Sequence, residues 1–281
     1  MSGVSKRALR VSPAAALFAA GVCLIRPGCA QIAEPATETG SPLKHLPSDI
    51  WEDQKGILTS PFHVTRQNVK WWAVFGGATA ALFATDEWTS SQLANTKNQV
   101  NIGNTASRFG SVYTLAPVSA GLYFLGSKRH DDHLRETGLL AMEALIDAAI
   151  ADQVLKIATQ RERPLEGTGE GRFWQGSGRP WNAGSSFPSG HEIETWTLAS
   201  VIAHEYPRPR IIPIAMYTYA LGIGAARFVA RAHFASDIVA GAAMGWFIGD
   251  FVYRNHQDAA LDARRPAWKR ALAHVHVGGI E

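Results

Sequence analysis

Cysteine is nearly absent. The 281 residues hold two thiols, Cys23 and Cys29, both close to the N-terminus. A mature chain that has lost this stretch can build neither a disulfide framework nor a cysteine-based zinc site. Charge is also sparse: charged residues make up 18% of the chain and the net charge is +3. That surplus is too small and too scattered to point to a nucleic-acid partner. The basic pieces Lys128–Arg129, Arg208–Arg210 and Arg264–Arg265 are short and read as solvated loop ends. Strict apolar/polar alternation is scarce and no internal repeat is visible, which disfavours a β architecture. A mean hydropathy of −0.06 argues against a chain wholly buried in lipid, but leaves room for a few apolar helices.

What is present is organised. Lys6, Arg7 and Arg10 precede an uncharged run from Val11 to Ile25, and Gly28-Cys29-Ala30 could form a cleavage site. Residues 1–30 therefore read as a secretory signal peptide, with export to the bacterial cell envelope as the consequence. Lipidation of Cys29 is a poorer fit because Arg26 stands before it, and Pro13 and the short run disfavour a retained anchor. Residues 31–66 are polar and form a linker passing into a short amphipathic lead-in. Six apolar segments follow, roughly 70–85, 109–126, 138–158, 190–205, 210–229 and 236–253. They are rich in Ala and Leu, which favours helices. Residues 257–281 form a basic, polar tail. The spacing of His256, His274 and His276 fits no known ligand set, so no metal is expected there.

Three clusters carry chemistry. Lys156 and Arg163 are two helical turns apart, and Pro164 places Arg163 at a helix end or just past it. An ordinary cationic helix terminus would look the same. Phe187-Pro188-Ser189-Gly190-His191 opens the fourth segment. Ser189 with Glu192 reads as a capping box. The same helix start is also a ready anion site with His191 at its rim. Arg227, His233 and Asp237 form the third cluster, with His233 and Asp237 four apart and a cation nearby. A carboxylate beside a histidine fixes its tautomer, although a surface His–Asp pair would share that spacing. Taken together, three cations, a Ser-Gly helix start and two histidines on successive loop–helix junctions suit phosphoryl transfer. That reaction is catalysed chiefly by positioning and by fixed donors facing the phosphoryl oxygens.

Lys-x6-Arg-Pro, Pro-Ser-Gly-His and Arg-x5-His-x3-Asp, at 156–164, 188–191 and 227–237, resemble the superfamily of type 2 phosphatidic acid phosphatases, class A acid phosphatases and vanadium haloperoxidases. The resemblance covers about residues 70–255. It implies an all-α fold, a bundle of about six core helices, and a phosphatase domain over 67–256. It implies that His233 attacks phosphorus to give a phosphohistidine, that Asp237 holds His233 in the attacking tautomer, and that His191 protonates the leaving oxygen and later activates water. Lys156, Arg163, Ser189, Gly190 and Arg227 would bind the phosphoryl oxygens. No metal or other cofactor is implied, except vanadate under the alternative of a haloperoxidase. A non-catalytic envelope binding protein is the other alternative. The sequence departs from the pattern at Ala226, where the family commonly has Ser. Glu192 and Glu194 beside His191 are also unusual, and Glu194 is placed to raise the pKa of His191. The expected partner is a phosphorylated substrate, lipid or soluble, with membrane association open. Six spanning helices would conflict with a cleaved leader over which side the junctions face. Glu143, Asp147 and Asp152 inside 138–158 favour a periplasmic or only partly embedded bundle.

Overall fold

The structure, a computed structural model, describes residues 46–59, 69–175 and 185–257. The leader with Cys23 and Cys29, the tail with His274 and His276, and Trp181 lie outside the described residues. All regular structure among the described residues is helical: α1 Leu46–Thr59, α2 Val69–Ser91, α3 Lys97–Ser107, α4 Val112–Arg129, α5 Asp132–Thr159, α6 Gly190–Glu205, α7 Ile211–Val229 and α8 Ala235–His256, with a 3-10 turn at Arg108–Gly110.

Each of the six apolar segments becomes a helix, and two further helices appear. Helix α1 occupies part of the expected linker and buries Asp53, Gln54 and Ile57 against the bundle. Helix α3 is mostly polar, with Val100, Ile102 and Ala106 too few to announce an apolar period. It starts at Thr96, whose hydroxyl accepts from the Gln99 amide. It is held by a close crossing with α7, where a Cβ on Gly103 would stand 2.6 Å from the Ala226 carbonyl oxygen.

Helix α6 is the centre of the bundle, packed by α5, α7 and α8. It is buried on nearly every side, with Glu192, Thr195, Thr197, Ser200 and Glu205 enclosed along with its apolar residues. The core is built from Leu140, Ala144, Leu145 and Ala148 of α5, Ile193, Leu198 and Val201 of α6, and Ile248 and Val252 of α8. Glycines of α8, spaced one turn apart, let α6 and α8 touch backbone to backbone. A Cβ on Gly241 would meet the Ser189 carbonyl oxygen at 2.7 Å, one on Gly245 the Ile193 oxygen at 2.2 Å, and one on Gly249 the Thr197 oxygen at 2.5 Å. This crossing fixes the start of α6 against the start of α8.

The carboxylates of α5 turn inward: Glu143, Asp147 and Asp152 are all buried. The opposite face of α5 carries Ile146, Ile150, Val154 and Ile157, all exposed. These acids therefore do not weigh against lipid contact, because they face the bundle interior and leave the outer face apolar. Helices α7 and α8 are each long and apolar enough to cross a membrane, and only 17% of the apolar window of α7 is buried inside the protein.

Candidate active site

Helix α5 stops where Gln160 adopts a left-handed conformation (φ 44°). Lys156, in its last turn, places Nζ 2.7 Å from Asp152 Oδ2. Arg163 lies beyond the helix end, so the two cations do not share a helical face. They nevertheless reach the same cavity. Arg163 donates from Nη1 to the Ala232 carbonyl at 2.9 Å and from Nη2 to the Ser185 carbonyl at 3.3 Å, which orients its fork.

Ser189 is the N-cap of α6, and its amide donates to the Asp237 carbonyl at 3.1 Å. The expected capping box does not form. Ser189 Oγ is buried and has no hydrogen-bond partner among the described residues. Glu192 instead turns toward α7, where Gly224 leaves room for its carboxylate, and accepts from Trp196 Nε1 at 2.8 Å. The Ser189 hydroxyl is thus left for another acceptor, while the Glu192 amide donates to the Ser189 carbonyl at 3.0 Å. Gly190 serves by lacking a side chain: a Cβ there would stand 2.9 Å from Lys156 Nζ and 3.0 Å from Asp152 Oδ2.

Arg227 closes α7. Its Nη1 donates to Ser107 Oγ at 3.2 Å and to Asn104 Oδ1 at 3.4 Å, both on α3. His233 sits on the turn before α8, not on the helix. Its Nδ1 is 2.7 Å from the Ser186 carbonyl oxygen and 3.9 Å from Asp237 Oδ2. The tautomer is therefore set by the Ser186 carbonyl and not, as expected, by Asp237. A carbonyl can only accept, so Nδ1 carries the hydrogen and Nε2 keeps its lone pair. Asp237 is one bond removed: it accepts from Ser186 Oγ at 2.5 Å and from the Phe234 amide at 2.9 Å.

Lys156, Arg163, Gly190, His191, Arg227 and His233 line one cavity of about 380 Å³, together with Tyr113 and Gln153. Burial, then the charges of Arg227, Lys156 and Arg163, push His191 down to about 3. Burial and the same three cations hold His233 well below the ordinary histidine range. Both rings are neutral at neutral pH, and the cavity holds a surplus of positive charge. Glu194 does not raise His191. Burial and the nearby Asp152 push Glu194 itself up to about 8, which leaves it uncharged near neutrality.

A family profile of the PAP2 superfamily matches residues 137–260, the stretch that contains all three clusters. Over that stretch the chain is similar to that superfamily. Three curated relatives bear the name lipid A 1-phosphatase. That of Porphyromonas gingivalis is 36% identical over 30% of this chain and 19% of its own length. Those of Rhizobium etli and Rhizobium johnstonii are 29% and 28% identical over 52% of this chain, and over 67% and 64% of their own lengths. The chain thus spans about two thirds of the rhizobial relatives and about a fifth of the Porphyromonas one. A solved transmembrane PAP2-type phosphatidylglycerolphosphate phosphatase of Bacillus subtilis aligns over 80% of this chain and 99% of its own, with 17% identity and a TM-score of 0.45.

The site rests on a residue that the motifs did not single out. Arg161, 2% exposed, donates to Asp86 Oδ2 at 2.8 Å, Ser236 Oγ at 2.7 Å and the Gly171 carbonyl at 3.0 Å, and it also binds Asp237. Its guanidinium lies 4.8, 5.1 and 4.5 Å from the ring centres of Phe83, Phe173 and Phe234. Asp86 of α2 also accepts from the Ser236 amide at 3.1 Å and from the Ser236 hydroxyl. A carboxylate from a distant helix thereby sits at the N-terminal end of α8. Two aromatic residues of the long loop serve this network: Phe173 and Phe187 pack edge-on or tilted against each other and Phe83 at centroid separations of 5.6 to 6.0 Å.

Proposed function

We propose that this protein is a membrane-associated phosphatase that removes a phosphate monoester from a lipid through a phosphohistidine intermediate. The observation that carries this reading is the single cavity shared by His191, His233 and three cationic side chains. A phosphoryl group seated there would place its oxygens against Lys156, Arg163, Arg227 and the start of α6. His233 Nε2 attacks phosphorus, and the bond from phosphorus to the lipid oxygen breaks. His191 gives that oxygen a proton. The incoming phosphate brings both the negative charge that lets His191 hold a proton and, as a monoanion, the proton itself. Water then attacks the phosphohistidine while His191 takes its proton, releasing inorganic phosphate and freeing His233. The three cations supply the charge stabilisation, so the cycle needs no metal ion in this cavity. Asp237 acts through its neighbours: it fixes Ser186, whose carbonyl orients His233.

The lipid part of the reading draws on the names of the relatives and on the exposed apolar faces of α5 and α7. The test measures phosphate release from a lipid phosphate in mixed micelles and from a soluble aryl phosphate, with no added metal. The lipid substrate is expected to be preferred, with activity lost in His233→Ala. His191→Ala is expected to retain label from a ³²P-substrate on His233, and vanadate should inhibit competitively. Equal phosphate release from wild type and His233→Ala would refute the phosphohistidine route. Equal turnover of both substrates would refute the lipid assignment alone.

A further inference from the structure

Far from the cavity, at the other end of α8, a second group of titratable side chains is gathered. Along the helix it lies about 28 Å from Asp237, at 1.5 Å per residue. Asp49 and Asp53 come from α1, Glu143 and Asp147 from the middle of α5, and His256 from the last turn of α8. Three of these offer ligand atoms within 4.8 Å of one another: Asp49, Glu143 and His256. His256 Nε2 is 2.8 Å from Asp53 Oδ1, while Nδ1 faces Glu143 Oε1 at 3.9 Å. That Glu143 oxygen belongs to a residue only 3% exposed and has no hydrogen-bond partner among the described residues. Gln54 Oε1 is likewise buried and unpartnered, its amide being turned to Asp147.

We propose that Asp49, Glu143 and His256 form a binding site for a divalent transition-metal cation of the Mn²⁺ or Zn²⁺ type. The donor set is two carboxylates and one imidazole, which suits these ions better than an all-oxygen cage would. With Nε2–H donated to the Asp53 carboxylate, it is Nδ1, on the side of Glu143, that would give up its proton to an incoming cation. This is the carboxylate–histidine–metal arrangement by which proteins orient a ligating ring. Donors about 2.1 Å from one ion lie at most about 4.2 Å apart, so closing the set takes roughly half an ångström of side-chain movement. The unpartnered Glu143 oxygen is the observation that separates this cluster from an ordinary acidic surface. A bound cation would balance the carboxylates of Asp53, Glu143 and Asp147 buried there. Its role is structural: it fastens α1 to α5 and α8, at a site separate from the phosphate cavity. The proposal is independent of the phosphatase reading, since its probe is the metal alone.

The test uses the tag-free full-length chain in mild detergent, stripped with EDTA and titrated calorimetrically with Mn²⁺ and with Zn²⁺. One ion per chain is expected to bind in the micromolar range and to raise the melting temperature. Glu143→Gln should weaken binding by more than about 100-fold, and Asp53→Asn, which acts through His256, by about 10- to 100-fold. Asp49→Asn, at a half-buried position, repeats the measurement should Glu143→Gln not fold. Paired His274→Ala and His276→Ala changes should leave binding unaltered. Absence of saturable wild-type binding into the millimolar range, unchanged binding in Glu143→Gln and Asp49→Asn, or loss of binding in the tail variant would each overturn the proposal.

Discussion

Replacing Arg161 by Met leaves two carboxylates in the interior with no cation between them. Asp86 is 1% exposed and Asp237 fully buried, and both are ion-paired to this guanidinium. Removing one partner of a buried pair costs about 3–5 kcal/mol, because the surviving charge is stranded. Here two charges are stranded at once, and bonds to Ser236 and to the Gly171 carbonyl are lost as well. Protonation of one carboxylate limits the damage, so about 3–5 kcal/mol is the expected loss and not twice that. Against a total stability of about 5–15 kcal/mol this is a third or more. The assay is urea unfolding at neutral pH, followed by tryptophan fluorescence. Arg161→Lys should fall between wild type and Arg161→Met, since an ammonium keeps the charge but cannot bridge two carboxylates with one planar fork. Adding Asp86→Asn to Arg161→Met should recover about 1 kcal/mol or more, because contacting residues are non-additive. An Arg161→Met protein within about 1 kcal/mol of wild type, with no recovery in the double variant, would refute the view that this arginine neutralises the interior beneath the site.

Two further outcomes concern packing and pH. Gly245→Ala should destabilise by about 1–3 kcal/mol, because its Cβ would stand 2.2 Å from the Ile193 carbonyl oxygen. Gly222→Ala on α7, with nothing within 4 Å of the added carbon, should be neutral or stabilising; equal thermal shifts in the two variants would sink the close-crossing argument. Burial pushes Glu192 up to about 8. The folded state then keeps a proton that the unfolded chain gives up above its ordinary value of 4.5, so stability is lost as pH rises from there through about 8. Glu192→Gln keeps an acceptor for Trp196 Nε1 and removes the titration. Its stability relative to wild type should grow from pH 5 to pH 9 by a few kcal/mol or so, and parallel pH profiles would contradict this.

The six apolar segments were legible because Ala- and Leu-rich runs bounded by Gly, Pro and charge must bury one face or more. Helix α3 escaped because Lys97–Ser107 is mostly polar. Its one local signal was Thr96 followed three residues later by Gln99, a helix-start pairing. The positions that line the cavity were readable from motif spacing, since Lys156, His191, Arg227 and His233 lie at helix ends that converge. What spacing could not convey was which atom partners which. His233 and Asp237 are four apart, yet the Nδ1 partner is a backbone carbonyl from another loop. The Ser189/Glu192 pattern likewise matched a capping box, but Gly224 and Trp196 offered Glu192 a better place. Arg161 was hidden beside Arg163: two arginines in one short stretch look alike, and only burial distinguishes the one that faces Asp86 across 75 positions of sequence.

That last contact bears on how small a working piece of the protein can be. The segment with the family's signature begins at residue 137, well after α2. Cutting the gene there would keep every residue that touches the cavity apart from Tyr113, and would still discard Asp86. Arg161 would then lose half of its counter-charge, and the Ser236 amide at the start of α8 would lose the acceptor that α2 lends it. The shortest autonomous unit is therefore longer than its most recognisable stretch. Transplants or truncations drawn at the motif boundaries should yield insoluble or silent proteins even with all three motifs intact.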